Sequence, residues 1–177
     1  VDETYINYLP DAVSLEPLCG SLPELVVCKS MSKCYALSGL RVAYAVSQNM
    51  ATLRRFIPPW AVSLPGQLAA VAALRNDAYY AQQYEVIHSE RRKMQQALDD
   101  LGFQVFSGVA NYLLTYLPAA SGYSSTRFIE ACREQGLFVR DAQNMGVLLP
   151  NNAVRFAVRS PEENEKMISI VYAILAL

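Results

Sequence analysis

The chain has 177 residues, 53% of them hydrophobic and 18% charged, with a formal net charge of −1. That balance gives no basis for binding nucleic acid or an anionic membrane, and no apolar run approaches the ~20 residues of a spanning helix. The apolar excess suits strands buried on both faces, or a large subunit interface.

Val1 opens directly into a strand end with no basic-then-apolar leader pattern. Asn7 to Leu22, carrying Pro10, Pro17 and Gly20, reads as a loop. Leu25-Val26-Val27-Cys28, bounded by Pro23, predicts a buried strand, and Val42–Val46 a second. Gln48–Phe56 reads as a helix stopped by Pro58-Pro59. Pro65 suits the first turn of another, through Gly66–Leu74. Ala78–Leu101 is a long helical pattern with Tyr80, Tyr84, Ile87, Arg91, Met94 and Leu98 on one face and Gly102 as its stop. Beyond it the texture shortens. Phe103–Phe106, Asn111–Leu117, Leu137–Arg140 and Val154–Val158 read as strands. Ser124 or Ser125 caps a helix to Gln135, closed by Gly136. Ser160-Pro161-Glu162-Glu163 starts a last helix to about Leu175. The expected fold class is α/β: part of a mainly parallel sheet with helices over 1–80, then a small α+β domain over 81–177.

Cys19, Cys28, Cys34 and Cys132 lack disulfide or metal spacing, so no metal is expected and a reducing, cytoplasmic setting is the default. His88 is the only histidine and reads as a surface residue, which argues against triad chemistry.

The informative stretch is Ser30-Met31-Ser32-Lys33-Cys34-Tyr35-Ala36-Leu37-Ser38-Gly39-Leu40-Arg41. A lysine beside two serine hydroxyls at the end of a buried strand is a poor device for stability. With an arginine eight residues on and Asp2-Glu3-Thr4-Tyr5 upstream, it is what an aldehyde cofactor carrying a phosphate needs, and pyridoxal 5′-phosphate fits. Such a cofactor must be held, oriented and tuned. Lys33 supplies the amine, whose pKa must fall below the ~10.4 of a free lysine; apolar neighbours and nearby positive charge are expected to lower it. Ser30, Ser32 and Arg41 suit the phosphate. Asp2 suits the ring nitrogen and Tyr5 the ring's phenolate oxygen.

This pattern, Asp-Glu-x-Tyr followed by Ser-x-Ser-Lys-x(5)-Gly-x-Arg, resembles the class I/II aminotransferase family of fold-type-I pyridoxal phosphate enzymes. Within it the chain is most similar to the branch of histidinol-phosphate aminotransferases and threonine-phosphate decarboxylases. The likeness continues in Pro58-Pro59-Trp60-Ala61-Val62-Ser63, Val109-Ala110-Asn111-Tyr112-Leu113-Leu114, Leu137-Phe138-Val139-Arg140-Asp141 and Val154-Arg155-Phe156-Ala157-Val158-Arg159-Ser160. The resemblance implies that Lys33 is the Schiff-base lysine, that Asp2 and Tyr5 contact the ring, and that Ser30, Ser32 and Arg41 contact the phosphate. It implies that Arg155 binds the substrate carboxylate and that Arg140 is a second arginine facing the substrate. Asn111 could fix an arginine or a carboxylate, and Asp141 could simply pair with Arg140. Members of the family are about twice this length, so the chain is expected to be the C-terminal half of a longer enzyme. A homodimer and a role in amino acid biosynthesis are implied too, with amino and keto acids as partners and neither nucleic acid nor membrane.

Transamination is the leading reading. Decarboxylation of a phosphorylated amino acid is the alternative, favoured by Trp60 and Arg159. A non-catalytic binding or assembly module is the reading from another class, and four intact positions, Asp2, Tyr5, Lys33 and Arg41, argue against it.

Overall fold

The computed structural model describes residues 1–176. It divides into two compact units, Val1–Tyr84 and Glu85–Leu177.

The first unit is built on a two-stranded ribbon, β1 (Val27–Ser30) and β2 (Ala43–Val46), paired antiparallel from Val27↔Val46 to Ser30↔Ala43. The lysine turn joins the two, and the Met31 amide donating to the Val42 carbonyl at 3.0 Å continues their pairing into it. Parallel pairing among the described residues of this unit is the bridge Asp2↔Cys28. β1 begins two residues later than the apolar run suggests, because the ladder with β2 extends to Ser30 while Leu25 and Val26 remain outside it. The stretch expected to be loop contains two 3₁₀ turns, Ile6–Tyr8 and Glu16–Gly20. The helix expected over Gln48–Phe56 is a single turn, α1 (Met50–Leu53), tightening into a 3₁₀ turn at Arg54–Phe56. α2 (Leu64–Leu74) follows, its N-terminus capped by Ser63 Oγ, which accepts from the Gly66 amide. Tyr8, Val27, Met31, Tyr35 and Val42 are buried. Tyrosine rings link the lysine turn to the start of α3 (Asp77–Asp100), with Tyr35 on Tyr80 at 5.0 Å and Tyr8 against Tyr84 at 5.3 Å.

The second unit is an antiparallel sheet in the order β3-β4-β6-β5: β3 (Gln104–Val105), β4 (Tyr112–Tyr116), β6 (Ala153–Ala157) and β5 (Arg140–Asp141). Its core joins the later turns of α3 (Met94, Leu98) to Leu113, Val154 and Phe156 of the sheet. Phe128 and Cys132 of α4 (Ser125–Glu134) and Met167 and Val171 of α5 (Pro161–Leu175) complete it. The strands expected from Phe103 and from Leu137 shrink to two residues each, since only that much finds a ladder partner. The helix ends match local chemistry. Gly102 and Gly136 take the left-handed backbone that closes α3 and α4. Ser160 and Glu163 form a reciprocal capping box on α5.

Candidate active site

β1 presents different chemistry on its two faces. Val27 and Lys29 are buried, while Cys28 and Ser30 alternate onto the other side. An inward lysine must be paired. Its ammonium meets Glu16 at 2.7 Å, Glu3 at 3.2 Å and Ser14 Oγ at 3.2 Å. Burial works to lower the Lys29 pKa, but the bonds to Glu16 and Glu3 outweigh it and hold it up. Burial likewise opposes the Glu3 charge. The Leu15 amide at 2.8 Å and Ser14 hydroxyl at 2.7 Å, with Lys29, nevertheless keep its carboxyl below the usual range.

Past β1 the chain turns outward. Ser30 Oγ donates to Ser32 Oγ at 3.1 Å and accepts from the Ser32 amide at 3.3 Å. Lys33 comes next, and its carbonyl accepts from Tyr8 Oη at 3.2 Å. Buried Met31, Cys34 and Tyr35 anchor the segment on both sides. They occupy its inward positions, so Lys33 is exposed and lacks the apolar surroundings expected for it. Arg41 is exposed as well, in the left-handed region at φ 55°, and donates to the Ser38 carbonyl at 3.2 Å inside its own turn. Of the three expected phosphate donors, the two serines touch each other.

Asp2 lies beside this turn through its bridge to Cys28, with the Glu3 amide donating to the Cys28 carbonyl at 2.8 Å. Asp2 Oδ1 accepts from Thr4 Oγ1 at 2.6 Å and from the Thr4 amide at 2.8 Å. The Thr4 hydroxyl first, then the amide, holds the Asp2 carboxyl below the ordinary range. Thr4 Oγ1 also accepts from the Ser30 amide at 3.2 Å. Tyr5 enters the turn Ile6–Tyr8 with its ring 6.3 Å from that of Tyr8. The donor set fits a phosphorylated, ring-nitrogen cofactor: a carboxylate kept ionised, two adjoining hydroxyls, and an exposed amine immediately after them.

In the second unit Arg155 lies on β6, an interior strand rather than an edge. Val154 and Phe156 are fully buried, and Arg155 is half-buried on the opposite face with its guanidinium carbon 4.9 Å from the Tyr112 ring centroid. Register sets it opposite Leu114 on one side and Arg140 on the other. The two expected anion-binding arginines are therefore ladder partners. Asp141 does not pair with Arg140: it alternates to the core side, accepting from Ser125 Oγ at 3.2 Å, the Gln143 amide at 3.0 Å and Gln143 Nε2 at 2.8 Å. Asn111 is half-buried just before β4, and its carbonyl accepts from the Val158 amide at 2.9 Å. Arg91, buried on α3, braces the segment leading to it by donating to the Phe106 carbonyl at 3.3 Å.

Thr4, Lys29 and Tyr112 were not among the residues singled out from sequence. Asp-x-Thr has the spacing of an Asx turn, which is a usable signal for Thr4. Lys29 alternates with Val27, which marks it as inward and in need of acid partners. Tyr112 has no such local sign, since only register brings it under Arg155.

Residues 1–171 match the family model described as aminotransferase class I and II. The chain is 28% identical over 174 residues to a histidinol-phosphate aminotransferase of Acinetobacter baylyi, covering 96% of the chain and 46% of that protein. It is 34% identical over 172 residues to an aromatic amino acid aminotransferase of Rhodococcus erythropolis, covering 96% and 45%. Its fold matches the crystal structure of L-threonine-O-3-phosphate decarboxylase from Porphyromonas gingivalis with a TM-score of 0.84 at 23% identity, over 99% of this chain and 54% of that one. The chain thus spans about half the length of the relatives it matches.

Proposed function

Because this chain belongs to the class I and II aminotransferase family, we propose that the protein is an aminotransferase of the histidinol-phosphate type, moving an amino group between an amino compound and a keto acid. The family depends on pyridoxal 5′-phosphate, which is bound in a solved structure of the same fold. One observation carries the assignment of its site. Of the two lysines flanking the serine turn, Lys29 is committed to Glu3, Glu16 and Ser14, while Lys33 is exposed directly after the two hydroxyls.

When bound, the cofactor supplies an electron sink adjoining the substrate Cα. Lys33 Nζ would hold it and would carry a proton to and from the reacting carbon. Asp2, ionised at neutral pH, would hold positive charge on the ring nitrogen, and Tyr5 would donate to the ring oxygen. Ser30, Ser32 and Arg41 would hold its phosphate. Arg155, backed by the Tyr112 ring, would receive the anionic group of the substrate together with its ladder partner Arg140, and Asn111 is proposed as a further substrate contact. Two guanidiniums on one sheet face suit a carboxylate or a phosphate.

Arg159, which favoured decarboxylation in the sequence, is engaged with Glu163 at 2.8 Å at the start of α5. Transamination is preferred because the relatives matched in sequence are aminotransferases. The test is to incubate the cofactor-loaded protein with histidinol phosphate and with aromatic amino acids, measuring keto product and released CO₂. Amino transfer without CO₂ is expected. CO₂ release would replace the reading by decarboxylation, and no turnover with no borohydride-trapped lysine would leave a binding module.

The protein is also proposed to act as a homodimer. α2 leaves Leu64, Leu68 and Val71 exposed one helical stripe long, and Phe56, Ile57 and Trp60 before it are exposed too. Sedimentation at micromolar concentration tests this, with an active monomer as the contrary outcome. Among the described residues no helix is long and apolar enough to cross a membrane. Free thiols at Cys19, Cys28, Cys34 and Cys132 support a reducing compartment such as the cytoplasm.

A further inference from the structure

The Asp2 carboxylate and the Ser30 turn come from segments far apart in the chain, yet one hydroxyl joins them. Thr4 Oγ1 donates to Asp2 Oδ1 at 2.6 Å and accepts from the Ser30 amide at 3.2 Å. The first is a charge-assisted O–H···O⁻ bond of the short, strong kind. The second satisfies an amide at the end of β1. A hydroxyl that accepts from an amide while donating to a carboxylate is polarised by both, and each bond strengthens the other. Threonine's branched Cβ restricts the rotamer that does this. Nearby bonds close the arrangement: Cys34 Sγ donates to the Thr4 carbonyl at 3.2 Å, and the Thr4 amide shares Asp2 Oδ1 at 2.8 Å.

We propose that Thr4 is a positioning residue of the cofactor site, whose hydroxyl locks the Asp2 carboxylate to the Ser30 amide so that the ring-nitrogen partner and the phosphate turn keep one fixed relation. The proposal rests on the reading of Asp2 and Ser30 given above. Both recorded bonds to Asp2 fall on Oδ1 and fix the rotation of the carboxylate. With that rotation free, the second oxygen would have to be oriented anew at each binding event, which is the cost that preorganisation removes.

The other groups around Asp2 are Val1, whose nitrogen donates to the Val26 carbonyl at 2.8 Å, and the thiols of its bridge partner Cys28 and of Cys34. The Lys29 and Glu3 charges are spent on each other and on Glu16 and Ser14. None of these changes between Thr4 variants, so a comparison of Thr4→Val with Thr4→Ser isolates the hydroxyl. Valine keeps the shape and loses both bonds; serine keeps both.

The test begins on the cofactor-free protein with ¹³C-carboxyl aspartate, the Asp2 signal being assigned by its loss in Asp2→Asn. Asp2 should titrate below the ordinary aspartate range. Thr4→Val should move its midpoint upward, and Thr4→Ser should leave it in place. An unmoved midpoint in Thr4→Val, or an equal rise in Thr4→Ser, overturns the proposal. Hydrogen exchange of the Ser30 amide in the unmutated protein gives a second reading that needs no variant: protection is expected, and exchange at the rate of an open amide overturns it. In the loaded protein, the pH midpoint of the cofactor's visible absorbance should shift in Thr4→Val and be restored in Thr4→Ser. An Asp2→Asn protein with unchanged absorbance and turnover would sink the assignment of Asp2 to the ring, while the cofactor-free titration judges the Thr4 bond separately.

Discussion

Arg140 and Arg155 stand directly opposite each other across the β5–β6 ladder. Like charges in that position oppose pairing by about 0.2–1 kcal/mol. Asp141, the nearest acid in sequence, faces away into its own bonds with Ser125 and Gln143. The Tyr112 ring offers Arg155 a partial counterweight. A pair kept under this tension is relieved by an anion that bonds both, which is how a substrate's negative group would be recognised.

Removing one arginine should therefore act in opposite directions on stability and binding. Arg140→Gln is expected to stabilise the substrate-free protein by up to about 1 kcal/mol in urea unfolding. Arg155→Ala should lower kcat/KM by the equivalent of about 2–5 kcal/mol, with Arg155→Lys in between because it keeps charge without the planar fork. Cofactor affinity should hold in both. Weakened cofactor binding with normal substrate affinity would mean that the roles of Arg155 and Arg41 are exchanged.

The two lysines should separate cleanly. Lys29→Met strands Glu3, whose side chain is 4% exposed, and should destabilise the fold by about 3–5 kcal/mol. Lys33→Met should leave stability within about 0.5 kcal/mol, since the side chain is exposed, while abolishing turnover. Borohydride reduction of the loaded protein followed by peptide mapping should label Lys33. A label on Lys29 would overturn the site.

Asp2→Asn should still bind cofactor but lose rate by several orders of magnitude, a barrier change on the scale of several kcal/mol. Steady-state kinetics within tenfold of the unmutated protein would show that another group holds the ring nitrogen.

Acid should loosen the second unit through Glu90. This carboxylate is buried on α3, accepting from Lys93 Nζ at 2.7 Å and Asn164 Nδ2 at 3.1 Å, and the two bonds in that order lower its pKa. A depressed folded pKa gives stability that is present in full above the ordinary value of 4.5 and drains away as pH falls through the folded value. Lys93 is exposed and screened, so the Asn164 bond between α3 and α5 should dominate. Glu90→Gln is expected to cost about 1–3 kcal/mol at pH 7 and to flatten the acid limb of a stability–pH curve. Equal acid sensitivity in the variant would point to other carboxylates.

Much of this was readable without coordinates, and the reason is range. Ser160-Pro161-Glu162-Glu163 announces α5, Gly102 and Gly136 end their helices, and Val154 and Phe156 alternate into the core around Arg155, because caps and periodicities act within a few residues. Lys33 is proposed as the amine from the order of Ser30, Ser32 and Arg41 around it, which is also a local pattern. Folding decided the rest. The sequence suggested an Arg140–Asp141 pair, but the pleat sends the two to opposite faces, and strand register gives Arg140 to Arg155 instead. Apolar neighbours suggested a desolvated Lys33, but Met31, Cys34 and Tyr35 take the inward positions and leave it exposed. The commitment of Lys29 to Glu3 and Glu16, and of Thr4 to both Asp2 and Ser30, arises where distant segments meet. A chain pattern specifies which side chains need partners; only register and chain reversal determine which partners they reach.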